Sequence, residues 1–213
     1  MLRISAVCST IALLALASCN RGPKLETPAP GERPLAGYLA QRIAVTPTGM
    51  VRAADSLGWV QQLGGPRSVA RKLDTNIVTV LTDRGLGTNW VLPADLARSY
   101  ERNRTYAADP YRLALEEVRG ASFVAASRYG EPLSSQLRTM IALLEDTRFV
   151  LLPIELRFDR DGTAGRGVLR VAVVDPRLAE AKWVGEVKGD TSSNPARALA
   201  SVAVRLTDLF LAP

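Results

Sequence analysis

Two cysteines, four lysines and no histidine bound the chemistry open to this 213-residue chain. Without histidine there is no His-dependent triad, no imidazole metal ligand and no side chain that ordinarily titrates near neutrality. Gly120-Ala121-Ser122 has the opening of a nucleophile elbow, but no closing glycine follows and no histidine exists to serve the serine. Ser68 and Lys72 stand one helical turn apart, the one spacing that would suit a Ser–Lys dyad; a solvated helix surface explains them better. Asp159-x-Asp161-Gly162 opens like a calcium loop. The twelfth position is Arg170, where a bidentate Glu is required, so the segment reads as a tight turn. Glu116-Glu117 and Glu145-Asp146 are paired carboxylates of the kind glycosidases use across a sugar cleft. They lie near predicted helix ends, and aromatic residues are only 6% of a chain that would need them to line such a cleft. No catalytic, cofactor-binding or metal-binding residue is therefore expected, and the chain reads as a non-enzyme without a cofactor.

The cysteines point elsewhere. Arg3 gives a positive start, and Ile4 to Ala17 runs 14 residues without a charge. That is shorter than the roughly 20 residues needed to span a bilayer, and fits a secretory signal. It ends Leu16-Ala17-Ser18-Cys19, which resembles the lipobox of bacterial lipoproteins. The resemblance implies cleavage between Ser18 and Cys19 and acylation of Cys19, which makes residues 1–18 a lipoprotein signal peptide. More than one acyl chain makes membrane attachment stable. Asn20, where an Asp would favour inner-membrane retention, implies the periplasmic face of the outer membrane. Cys8 leaves with the signal, so no thiol remains for a disulfide or a metal site.

Net charge is +6, carried mostly by arginines spread along the chain. No dense basic block marks a nucleic-acid surface, and nucleic acid is not an expected partner. Residues 19–38 hold four prolines and three glycines, which reads as an extended tether. Residues 39–213 are then enough for one domain with a real core.

Within that domain, Arg42 to Thr46 reads as a strand halted by Pro47. A helix is expected over 68–84, capped by Ser68, because Val69, Leu73, Ile77 and Leu81 share one face. A short strand at Asn89–Leu92, a helix from Pro93 to about Asn103, and a helix from Asp109-Pro110 to about Val118 follow. Leu133, Leu137, Met140, Ile141 and Leu144 mark another amphipathic helix. Phe149–Phe158, Val168–Val174 and Trp183–Val187 make three strands joined by two tight connections, an antiparallel meander. Pro195 opens a closing helix with Leu199, Val202, Ala203 and Leu206 on one face. The expected class is α/β (α+β): a mixed sheet with a C-terminal meander, packed helices and a C-terminal helix closing the core. Trp90 and Trp183 read as core or edge cover. Trp59 sits in the Gly-rich, poorly patterned 48–66 segment, which makes it the candidate partner-binding loop.

Several segments resemble a small α/β domain of envelope proteins. They are Ile43-Ala44-Val45, the helix from Ser68, Thr147-Arg148-Phe149-Val150-Leu151, Val173-Val174-Asp175, Lys182-Trp183-Val184-Gly185 and the alanine-rich last helix. The group includes the amino-terminal domain of the Tol-system propeller protein, the curli-secretion lipoprotein and the lipoprotein activators of penicillin-binding proteins. Residues 48–66 and 93–130 fall outside that pattern. The resemblance implies a lipid-anchored periplasmic module that docks an envelope protein, held to the membrane through its lipid. The alternative it implies is a subunit of an outer-membrane secretion or transport complex. An envelope hydrolase is disfavoured by the missing His, Cys and aromatic cleft.

Overall fold

The structure, a computed structural model, describes residues 25–29 and 31–212. The signal 1–18, Ser18 and Cys19 lie outside the described residues.

The class is α/β, as the patterning requires. Strand β3 (Thr147–Asp161) is the centre of a five-stranded mixed sheet. On one side it pairs antiparallel with β4 (Ala164–Asp175), which pairs antiparallel with β5 (Glu180–Lys188). This is the meander. Asp161 and Ala164 face each other across a two-residue turn, with Gly162 at φ +61, a conformation glycine adopts at little cost. On its other side β3 carries two short parallel strands end to end, β1 (Arg42–Val45) and β2 (Met50–Val51). Pro153 lies in the gap between them. The β3–β4 register shifts between Pro153 and Glu155, and bulges of this kind break pairing and redirect the chain. Thr46 and Gly49 still donate to β3, at Leu151 O (3.1 Å) and Pro153 O (2.9 Å), while Thr48 between them turns toward a helix.

Helices cover both faces. On one face, α2 (Pro66–Asp83) lies against α5 (Pro195–Asp208), which lies on β4. Val69, Leu73, Ile77 and Leu81 of α2 meet Leu199, Val202 and Leu206 of α5 over Leu151, Leu169 and Val171. α5 starts as expected: Asn194 Oδ1 accepts from the amides of Ala196 and Arg197, and Pro195 takes the first turn. On the other face, α3 (Pro93–Arg102) and α4 (Leu133–Ala142) bury Leu96, Leu133, Leu137 and Met140 over Val150, Leu152 and Ala172. No described helix is long and apolar enough to cross a membrane.

Several expectations need correcting. Ser68 does not cap α2; the helix starts two residues earlier behind Gly65. Asn89–Leu92 makes a single bridge, Val91 to Ala44, rather than a strand. No helix forms at 109–118. Asp109 accepts from Tyr111 N (2.9 Å) in a local turn, and only a short 3-10 turn at Glu117–Arg119 follows. Leu115 and Val118 are buried in the core all the same, reached by irregular chain and that short turn instead of a continuous helix.

The largest correction concerns the tether. From Leu25 on, the segment read as free linker is part of the domain. Glu26 bridges Gly185 in parallel register, and its carbonyl accepts from Glu186 N (2.8 Å). Its carboxylate accepts from the Trp183 indole (2.6 Å). Leu35 is fully buried in the α2–α5 core, and its amide donates to Leu209 O (3.1 Å). Tyr38 meets Phe149 edge to face. Prolines made this stretch look unfolded, but one buried leucine and one paired strand position are enough to lash it down.

Candidate functional site

The break between β1 and β2 builds a polar cleft. Thr48 is the first residue past Pro47, and its amide (2.8 Å) and hydroxyl (2.6 Å) both donate to Asp74 Oδ1. Asp74 stands on α2 beside the buried Leu73. Gly49 is pressed against Leu115 and the Ile154 carbonyl, 3.0 Å from where a Cβ would stand, so the loop runs close to the sheet. The third wall is Tyr111. Its segment is pinned to α4 by Gln136, whose Oε1 accepts from Ala114 N (2.9 Å) while its amide donates to Arg112 O (3.4 Å).

Between these walls lies a cleft of ≈ 480 Å³, with Met50, Ala70 and Tyr111 supplying apolar surface and Arg67 and Arg71 on the α2 side. Burial raises the Asp74 carboxyl above its ordinary value, and the two bonds from Thr48 only partly offset this. Burial and the Asp74 charge together raise the Tyr111 phenol. Asp74, Arg67 and Arg71 make no ion pair among the described residues, and Asp74 Oδ2 accepts no bond there. Chemically the cleft can receive a hydrogen-bond donor or cation at Asp74 and an anionic group at the arginines. Thr48 is 7% exposed with its hydroxyl proton committed to Asp74, so the pair offers no free nucleophile. Tyr111, on the wall of the cleft, is 61% exposed, one of the most exposed large apolar side chains among the described residues. Tyrosine and arginine are the residues that dominate protein interfaces.

A cleft of ≈ 520 Å³ lies on the opposite edge, between residues 27–29 and 31–33, the end of β5 and the end of α5, and its charges are paired in part. Its Arg205 pairs with Asp190 and Asp208, and its Glu186 with Arg157. A buried charged row crosses the sheet where Glu155, Arg170 and Glu186 stand opposite one another. Burial works against the Glu155 charge, but bonds from Arg52 and Arg119 outweigh it and hold the carboxyl below its ordinary range. Arg170 donates to the carbonyls of Gly120 and Phe123, both at 2.7 Å. This row fastens the irregular 103–130 cover to the sheet and reacts with nothing.

The residues singled out in the sequence fare differently. Trp59 is core: it heads the short helix α1 (Trp59–Gln62), is 7% exposed, and meets Phe158 edge to face. Its ring would stand 2.9 Å from a Cβ at Gly165. It is no surface contact, and the functional reading of 48–66 moves to its first four residues, 48–51. Ser68 Oγ and Lys72 Nζ both donate to Leu63 O (2.9 Å each), so they close the end of α1 rather than activate one another. Asp161 lies in the hairpin, paired with Arg166. Glu117 accepts from Gly130 N (2.9 Å). Among the described residues no group of His, Cys, Asp or Glu could hold a metal. The cleft itself escaped detection because Thr48, Asp74 and Tyr111 come from three distant stretches, and nothing local flags any of them.

No family and no curated protein matches this chain. Among solved structures it is similar to a PelC variant, a dodecamer from Paraburkholderia phytofirmans, at 10% identity and a TM-score of 0.34. The similarity covers 81% of this chain and 89% of that one. A TM-score of this size carries no inference about function or assembly.

Proposed function

We propose that the chain is a non-catalytic, lipid-anchored module of the cell envelope, on the periplasmic face of the outer membrane, whose α/β domain docks a protein partner through the Asp74–Tyr111 cleft. The anchoring rests on the lipobox-like Leu16-Ala17-Ser18-Cys19. The docking rests on one observation: Asp74, Arg67 and Arg71 have no ion-pair partner among the described residues and line one cleft with the exposed Tyr111. A partner segment offering a basic side chain to Asp74 and an acidic one to the arginines would pair all three, and Tyr111 would supply rigid apolar contact. Lipid confinement would raise the effective concentration of the domain near that partner.

A photo-crosslinking residue at position 111, compared with one at Thr163 on the hairpin tip, tests this in intact cells. A discrete adduct from 111 that is absent from 163 and lost with Asp74→Asn is expected. No adduct from 111, or the same adduct from both positions, removes the docking reading. Adducts only to further copies of the chain would favour the secretion-complex alternative.

A further inference from the structure

We infer that the β4–β5 turn, with Leu178, Arg128 and Arg177, rests on the lipid headgroup surface, so that the domain stands on the membrane with the β3–β4 hairpin pointing away. The placement rests on the proposed acylation of Cys19. Five residues lie between Cys19 and Leu25, and six fully extended steps reach at most about 21 Å. Leu25 is not free to wander from the domain: it packs against the core on the α4 face, and Glu26 is bonded to Gly185. The bridge is parallel, so the chain traced backwards from Glu26 heads along β5 toward Glu180 and the turn that precedes it. The described start of the chain therefore runs toward the end of the sheet that carries the turn.

That end has the chemistry of a headgroup contact. Leu178 is 46% exposed at the tip of the turn. Arg128 donates to Leu178 O (3.3 Å), which places its guanidinium beside the leucine. Arg128 and Arg177 are exposed and make no ion pair among the described residues. The acidic groups of the turn are neutralised, Asp175 by Arg148 and Glu180 by Lys182. Glu145 and Asp146 lie one strand further on, before β3, and Arg42 starts β1 opposite Thr147. An apolar side chain flanked by unpaired cations supplements a lipid anchor on an anionic surface. The other end of the hairpin is about 40 Å away, the length of a 12-residue strand.

The lipidated full-length protein, reconstituted in vesicles containing phosphatidylglycerol and a headgroup-nitroxide lipid, provides the test. Cys19 would be acylated and Cys8 removed, so Leu178→Cys or Thr163→Cys gives a single thiol for a fluorophore. Loss of fluorescence at 178 and none at 163 is expected, and Arg128→Glu with Arg177→Glu should lower the quenching at 178. Equal quenching at both positions, stronger quenching at 163, or quenching at 178 unaltered by the double charge reversal overturns the placement. Intact mass is read first. A Cys19 without acyl chains overturns the anchoring reading and this placement together, whereas acylation with the wrong quenching pattern overturns the placement alone.

Discussion

The two edges of the sheet are closed in opposite ways. At the β5 edge the chain covers itself. Residues 126–129 pair with 179–181, Glu26 pairs with Gly185, and Arg205 in the neighbouring cleft is matched by Asp190 and Asp208. At the β1–β2 edge the cover is broken at Pro47 and Pro153, and the break leaves a carboxylate and two guanidinium groups without ion partners. Exposed strand edges invite pairing with other chains, so proteins cover or charge them. On the proposed docking reading, the first edge is sealed by the chain itself and the second is the one a partner would cover. The seal is not complete in its bonding, since the buried Tyr129 hydroxyl has no partner among the described residues.

The largest test of this contrast is Leu35→Ala. If the N-terminal strap seals the β5 side, removing a fully buried leucine should cost about 2–5 kcal/mol in urea unfolding; a free tether would give no change. Glu26→Ala comes next. It strips the acceptor from the buried Trp183 indole and should cost about 1 kcal/mol, with a shift in tryptophan fluorescence. Asp74→Asn keeps the shape of the open edge, and we expect a stability change below ~1 kcal/mol at neutral pH because Oδ1 can still accept from Thr48. Its signature lies in pH dependence. Burial raises the Asp74 carboxyl in the fold, so its contribution is greatest below its ordinary value of 3.8 and fades as pH rises through the raised value. The variant should lack that fall. Glu155 and Glu186 have the opposite sign: both are depressed in the fold, so they stabilise above the ordinary carboxylate value, and that support goes as pH drops through the depressed one. Glu186→Gln should therefore unfold less steeply with acid than the wild type. Arg205→Ala should do least. Its side chain is 43% exposed, and breaking its pairs with Asp190 and Asp208 should cost no more than ~0.5 kcal/mol in thermal melts.

What could be read in the sequence was whatever repeats. The meander showed itself through β-branched runs punctuated by Asp-Gly and Asp-Pro, and α2, α4 and α5 through apolar positions three and four apart. Helix 109–118 failed because a cap can start a helix without propagating it, and Leu115 and Val118 reach the core from irregular chain. The strap failed because four prolines outweighed Leu35, whose single apolar contact has no period. Trp59 failed for a related reason: glycines on either side made the segment look open, while one of the residues it packs on, Gly165, lies more than a hundred positions away and leaves room because it has no side chain. Asp74 was legible as a helix surface residue and nothing more, since its partner Thr48 approaches only after β3 has been bulged at Pro153.

The glycine beneath the strap also decides how the molecule bears load. A Cβ at Gly185 would stand 2.8 Å from the carbonyl of Glu26, so only glycine lets the strap lie this close. Because the strap runs parallel to β5, tension on its N-terminal end acts along the strand axis. The bonds from Glu186 N and the Trp183 indole are then sheared together instead of being peeled one after the other. Behind them, Leu35 is plugged into the core and tied to Leu209 at the foot of the last helix. A tug on the leader side of the chain is thus caught by two successive latches before it reaches β1, and the sheet is spared the strain.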